Sequence, residues 1–395
     1  MRRVLFVFAL SICSLVAWAY DFSAVAPSGQ TLYYTLTSRF TVEVSGSTNL
    51  TGSLTIPSTV DDGNSTYYVT SIGDSAFYNC SELTNVTISN SVTHIGHRAF
   101  RGCSGLTTIN IPNSVSSLGA SAFSGCSSLT TVVIPSSVTS ISEAAFYECS
   151  GLTSITIPNS VTSIEKSAFF KCSSLTDVTI PNSVTFLGDY AFDRCSSLQH
   201  ITIPDSVTSI GNYVFYGCVS LTSANIGNSV TSLGHTTFAY CYSLTTLTIG
   251  SGLTTINEYA FCDCDHLDTI ICNAVTPPTV ADTNAFTGVW KGLALIVPGE
   301  SVGQYQSAYC WQDFFNIIGS SVGIEDLNNE YKVFASNGAI VVSGAEGQAL
   351  RIYDVQGRLI VSEKAADNKL YDVPTTGVYV VQVGKHRAQK VVVGR

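Results

Sequence analysis

The 395 residues predict a mainly β fold with short helical turns: a solenoid of 23-residue units followed by a small β-sandwich. Three observations carry that expectation. Phe77, Phe100, Phe123, Phe146, Phe169, Phe192, Phe215, Phe238 and Phe261 recur at a fixed 23-residue step. A cysteine three places later keeps the same step from Cys80 to Cys264. Beyond Ile324 the period gives way to short strand-like runs split by Gly, Asn and Pro. Self-similarity at such a period means that one short unit stacks on copies of itself.

The chain opens with Arg2 and Arg3, a short apolar run from Val4 to Val16, and small residues at Ala17 and Ala19. This is the pattern of a secretory signal over residues 1–19, cleaved between Ala19 and Tyr20. The run is too short to span a bilayer, and no other stretch is long and apolar enough, so no transmembrane segment is expected. Residues 20–49 lack the repeat and read as an N-terminal β cap.

Residues 50–272 hold the repeats, and Leu152 to Ser174 can stand for all of them. Leu152, Ile155 and Ile157 form a strand with alternating sides. Pro158-Asn159-Ser160 turns the chain. Val161 and Ile164 point inward from a second extended piece, and Ala168, Phe169 and Cys172 suit one tight helical turn over Glu165 to Cys172. A single unit cannot bury enough apolar surface to fold alone, but a stack can. Asp61 to Tyr68 is a polar insertion in the first, irregular unit. Residues 273–322 break the period at Thr276-Pro277-Pro278 and supply Phe286, Trp290, Trp311, Phe314 and Phe315 for a closing cap. Residues 323–395 contain the strands of the β-sandwich.

Thirteen cysteines in an exported chain would normally mean disulfides. Stacking argues otherwise, because equivalent residues lie about 4.7–4.9 Å apart with parallel side chains, a poor match to disulfide geometry. The ladder cysteines read as small buried hydrophobes, and a Cys272–Cys310 bridge stays open. Between Tyr20 and Gly323 there are seven Lys and Arg against twenty Asp and Glu. Such an acidic body excludes nucleic acid and anionic membrane surfaces as partners.

The unit L-x-x-I-x-I-P-x-S-V-x-x-I-x-x-x-A-F-x-x-C, from about Leu54 to Cys272, resembles the BspA-like leucine-rich repeats. The resemblance implies a leucine-rich repeat solenoid in a secreted or surface protein, with adhesion as the class of activity. The tail from Glu325 to Arg395 resembles the C-terminal sorting domain of type IX secretion cargo. The matching residues are Leu350 to Asp354, Gly357-Arg358, Gly377 to Val380 and Lys390 to Val393. That resemblance implies a Gram-negative cell, contact with export machinery through the tail, and an extracellular or outer-surface location. Bacteria with such tails glycosylate Asp-Ser/Thr-apolar sequences, which makes Ser75, Ser206 and Thr269 candidates, Ser206 being the most accessible by its turn position.

Two sets of outward residues are candidates for partner binding. Thr156, Thr179 and Thr202 lie on the strand face, where β-branched threonine also simply suits an exposed pleat. Tyr147, Phe170, Tyr190, Tyr213 and Tyr216 lie on the turn edge, where aromatics offer area at low entropy cost but also pack on neighbouring turns. No catalytic motif, phosphate loop or metal-ligand spacing stands out, and His94 with His97 implies no third ligand. Carboxylates such as Glu143, Glu148 and Glu165 fall on outward turns with no cleft to pair them. The sequence therefore implies no cofactor, no metal and no enzymatic activity. It points to an adhesin-like protein that binds an extracellular protein or glycan (host matrix, mucin or other bacteria) by multivalent contact without a deep pocket. A structural spacer, or an enzyme seated in the insertion or caps, are the rival readings.

Overall fold

The computed structural model describes residues 20–47, 49–320, 332–336, 339–343, 347–354, 358–366, 369–374, 377–383 and 389–393. The signal segment and Ala19 lie outside the described residues. The chain divides into two units, 1–320 and 321–395.

In the first unit, β1 (Phe22–Val25), β2 (Thr31–Leu36) and β3 (Thr41–Gly46) pair antiparallel, and β3 then pairs parallel with β6 (Thr66–Ile72). The cap thereby hands its sheet to the solenoid. The insertion at Asp61 to Tyr68 is a hairpin of β5 (Thr59–Asp61) with β6. Its turn is closed by Asp62, whose Oδ1 accepts from the amides of Asn64 and Ser65 at 2.8 Å.

Beyond the cap, two parallel ladders run up the repeats. In one, His200, Ser223, Thr246 and Thr269 are successive partners; in the other, Ser140, Ser163, Phe186 and Ser209 are. Each step is one 23-residue unit. The strand ladder thins to a single bridge, Ser154 with Asp177, around the unit of Leu175. It then continues through the closing segment, where Thr269–Cys272, Ala294–Pro298 and Ile317–Ser320 pair in turn.

The third side of each unit corrects the expected helical turn. Across Glu165 to Cys172, alternate amides close i→i−3 turns, as Ala168 does onto Glu165, Phe170 onto Ser167 and Cys172 onto Phe169. The intervening amides of Ser167, Phe169 and Lys171 instead donate to Asp189, Ala191 and Asp193 of the next unit at 2.7–2.8 Å. A helix would keep every bond within its own unit. Positive φ at Ser167 (55°) and Lys171 (56°) swings alternate peptides sideways, and the same pair of positions is left-handed in every unit from Ser75 and Asn79 to Tyr259 and Asp263.

The register dictates the interior. The ladder phenylalanines are fully buried and stack with centroids 5.1–5.7 Å apart, a column that runs on to Phe286. The column stops at Trp311 and Phe314, which meet Phe286 at 60° and 89° and so leave no parallel face for another rung. Lys291 covers this end, with Nζ 5.2 and 4.8 Å from the Phe286 and Phe314 centroids and donating to the Phe286 carbonyl. Trp290 and Phe315, expected in the cap, are 60% and 76% exposed and pack only edge to face on the outside.

The ladder cysteines are more than small hydrophobes. Each thiol from Cys103 to Cys264 donates to the carbonyl of the phenylalanine 26 residues earlier, at 3.1–3.3 Å. That carbonyl already accepts one amide, as Phe169 does from Cys172, so the thiol fills its second lone pair. All twelve described cysteines are free and buried, including Cys272 and Cys310. Tyr305 donates to the Cys272 sulfur at 3.2 Å and to the Ala274 carbonyl at 2.8 Å.

The second unit is a seven-stranded antiparallel sandwich, as expected. Lys332–Ser336, Ala339–Ser343 and Lys369–Asp372 form one sheet. Leu359–Lys364, Ala349–Asp354, Gly377–Val383 and Gln389–Val393 form the other. Ile340, Val342, Leu350, Ile352, Tyr371, Val381 and Val383 meet in its core.

Replacing Phe169 with Ala removes one ring from a continuous column and is expected to lower stability by about 3–5 kcal/mol, while Thr156→Ala on the exposed face stays within about 0.5 kcal/mol; chemical denaturation of the two variants checks this. Burial pushes the Cys149 thiol up to about 12, so Ellman's reagent is expected to leave the ladder thiols untouched in the native protein and to label them in step with loss of circular dichroism.

Candidate functional site

The outer surface of the solenoid is covered in hydroxyls, but most of them are engaged by the fold. Thr107, Thr130, Thr153 and Thr176 each donate to the backbone carbonyl one unit earlier, and Ser160, Ser183 and Ser206 do the same on the adjoining turn. Thr156, Thr179 and Thr202 differ: all three are exposed, and among the described residues their hydroxyls have no partner. A shallow depression on an earlier stretch of the strand face is lined by Asn85, Thr108, Asn110, Thr131 and Val133.

On the turn edge the aromatic candidates are half-buried in stacks. Tyr147 lies on Phe170 at 4.7 Å and 8°, and Tyr190 on Tyr213 at 4.9 Å and 9°. Tyr213 leads edge-on to Tyr216, Tyr216 to Tyr240, and Tyr240 to Tyr242, with centroids 5.9, 5.2 and 6.0 Å apart. Each edge-to-face contact covers a face of one ring and only the edge of the other.

Beside this chain of rings runs a groove of about 840 Å³, where sequence reasoning expected no cleft. Glu148, Lys171 and Arg194 line one stretch of it, and Tyr216, Tyr240 and Tyr242 another. Of the aromatic candidates only Tyr216 lines it, and Thr156, Thr179 and Thr202 do not. The missed residues have a sequence signal. The position two after the ladder phenylalanine reads Gly125, Glu148, Lys171, Arg194, Gly217 and Tyr240, and this run of unlike residues in an otherwise repetitive array marks the groove.

The electrostatics of the groove are local. Lys171 Nζ donates to Glu148 Oε1 at 2.9 Å, a hydrogen bond that holds the ammonium above its ordinary range. Arg194 lies over the Tyr216 ring at 5.5 Å. Beside it Asp193 is only 4% exposed, and its Oδ1 has no hydrogen-bond partner. The nearest cation is Arg194 Nε at 3.9 Å, an ion pair too long to be a hydrogen bond. Burial pushes the Asp193 carboxyl up to about 6, against the pull of Arg194 and Lys171.

Of the acceptor candidates, Ser75 is half-buried at a left-handed turn position. The Ser206 hydroxyl donates to the Val184 carbonyl at 2.7 Å, which corrects its ranking as the most accessible. Thr269 is 7% exposed, and a buried hydroxyl in a ladder strand is closed to a transferase. Tyr20 is exposed beside Tyr33. His97 Nδ1 accepts the Ala120 amide at 3.0 Å and so serves the backbone. Among the described residues, no three His, Cys, Asp or Glu side chains lie close enough to share a metal ion, and no helix is long and apolar enough to cross a membrane.

The family comparison agrees with this architecture. The model of the BspA type leucine rich repeat region matches residues 70–199 and 164–291, more than half of the chain, and the protein belongs to that family. Residues 321–393 match a domain of unknown function (DUF6383). No curated protein matches the chain. Among solved structures, a leucine rich cell surface protein from Faecalibacterium prausnitzii is 26% identical, covering 74% of this chain and 99% of that one at a TM-score of 0.39. A leucine rich repeat protein of T. pallidum is 28% identical over 54% of this chain and 87% of its own, also at 0.39. A leucine-rich repeat protein from Bacteroides ovatus is 24% identical over 76% and 100%, at 0.34.

Because the folded protein holds the Asp193 proton more tightly than the unfolded chain does, stability falls as pH rises from about 4 to about 6 and is level above that. Asp193→Asn is expected to stabilise the protein at pH 7.5 by at most about 3 kcal/mol, with the gain vanishing at pH 4. Thermal melts of both proteins across that range check the sign.

Proposed function

We propose that the protein is exported and displayed at or shed from the cell surface, where its repeat face binds an extracellular protein or glycan in the manner of an adhesin. The observation that carries this reading is the row of Thr156, Thr179 and Thr202, exposed on consecutive units with no bond to their hydroxyls among the described residues, whereas Thr130, Thr153 and Thr176 and the serines of the adjoining turn serve the backbone. A rigid solenoid repeats such groups at about 4.8 Å, which suits many weak contacts acting together. Family membership supports a non-catalytic binding role. Host matrix proteins, mucin glycans and other bacteria are the partner classes in view.

The signal at residues 1–19 would carry the chain across the inner membrane. The sandwich would then act as a type IX sorting domain. Its antiparallel sheets and the Arg358–Asp354 pair at 2.6 Å, which ties the end of one strand to the residue before the next, suit a compact export module.

Saturable binding to at least one member of an array of matrix proteins and mucin glycans is expected, weakened by Thr156, Thr179 and Thr202 changed together to Ala. A blank array would favour the spacer. Deleting Glu325 to Arg395 is expected to hold the protein in the periplasm; its normal appearance outside the cell would contradict the sorting role.

A further inference from the structure

We propose that the groove on the turn edge is a binding site for a carboxylate-bearing sugar of an acidic glycan, with Arg194 gripping the carboxylate and the Tyr240 ring supporting the sugar over Gly217. This deepens the glycan-binding reading above and rests on it.

The argument starts from the run of unlike residues at one rung position. Glu148 and Lys171 satisfy one another at 2.9 Å. Arg194 is left without a true partner. Its guanidinium donates no hydrogen bond among the described residues, its side chain is 51% exposed, and it rests over the Tyr216 ring with Asp193 as the carboxylate beside it at 3.9 Å. Asp193 is thus placed to orient the guanidinium while leaving its outer edge free. A planar fork with unused parallel N–H groups matches a carboxylate in bidentate geometry.

Gly217 then opens the space beside it. Backbone conformation alone does not require glycine there, because Lys171, Arg194 and Tyr240 hold the same left-handed φ of 56°, 57° and 61° without it. What the glycine does is leave the rung bare. Two rung spacings separate Arg194 from Tyr240, about 9–10 Å, and the Tyr216 ring, 5.5 Å from the guanidinium and 5.2 Å from the Tyr240 centroid, floors the interval in which one pyranose ring would sit. Tyr240 meets Tyr216 and Tyr242 at 77° and 66° with no ring stacked parallel on it, and it lines the groove half-buried, where it can meet the C–H side of a sugar.

The surrounding charge points the same way. Lys166, Lys171 and Arg194 are three of only seven cationic residues in the acidic stretch from Tyr20 to Gly323, they fall within two consecutive units, and the last two line the groove.

The backbone disfavours an extended peptide as the occupant. The amides of Arg194, Gly217 and Tyr240 all donate to the next rung, to Tyr216, Ala239 and Cys262 at 2.7–2.9 Å. No strand edge is therefore on offer at the groove for a peptide to pair with.

The test titrates the full mature chain with 3′-sialyllactose, a hexuronate oligosaccharide, lactose, a sulfated oligosaccharide and poly-glutamate, using ligand-observed NMR and calorimetry. Binding is expected from one or both carboxylated sugars, at least about tenfold tighter than lactose, the sulfated sugar or poly-glutamate. Arg194→Ala and Tyr240→Ala should each weaken it by about tenfold or more; Arg194→Lys, which keeps the charge and loses the fork, should fall between. Melting temperatures of the variants show that the fold is intact, and Gln304→Ala, at an exposed position of the closing segment away from the groove, should bind as the parent does. No binding by either carboxylated sugar, binding that survives Arg194→Ala, or equal binding of lactose, the sulfated sugar or poly-glutamate would overturn the proposal. If the carboxylated sugars fail while the matrix and mucin array still responds, this site alone is wrong; if both are blank, the broader binding role falls with it.

Discussion

Backbone amides that reach sideways into the next unit set the terms for everything else in the solenoid. Phe146 donates to Ala168, Phe169 to Ala191 and Phe192 to Val214, each at 2.8–2.9 Å, and this fixes the separation of equivalent residues. Once that spacing is set, like side chains must touch like. Phenyl rings accept the condition by stacking. Thiols accept it by donating to a carbonyl one unit back, and Ser and Thr hydroxyls do the same on the outside. A larger or unsatisfied group at any ladder position would be repeated against its own copies, so the composition of the interior is narrow.

Much of this was legible in the sequence. The period named the solenoid and the inward Leu, Ile, Val, Ala, Phe and Cys positions, while the ring column and the ladder run on into the closing segment, to Phe286 and Ser320. The turn side was misread, because Ala168, Phe169 and Cys172 have the spacing of a helical turn. The i→i−3 bonds within the segment imitate a helix locally. The cross-unit bonds that prevent one are long-range and leave no mark in a single unit. The thiol donors were invisible for a related reason: a cysteine and the carbonyl it serves lie 26 residues apart, and only the stack brings them together.

The candidate site divides along the same line. Exposure of Thr156, Thr179 and Thr202 followed from strand alternation, but their free hydroxyls did not, since neighbouring threonines with the same exposure are bonded. The groove escaped notice because it is a departure from the repeat. Reading for regularity hides Arg194, Gly217 and Tyr240; reading the same column for its exceptions exposes them. In repeat proteins the regular positions build the scaffold, and individuality gathers where a ladder position changes character.

Residue-resolved amide exchange measures the central claim most directly, because it reports on the cross-unit bonds one by one. The account predicts that the amides of Phe146, Phe169 and Phe192 exchange together and among the slowest in the chain, released only when several units open at once. Exchange of these amides at the rate of exposed turns, or unit by unit with no shared opening, would contradict it.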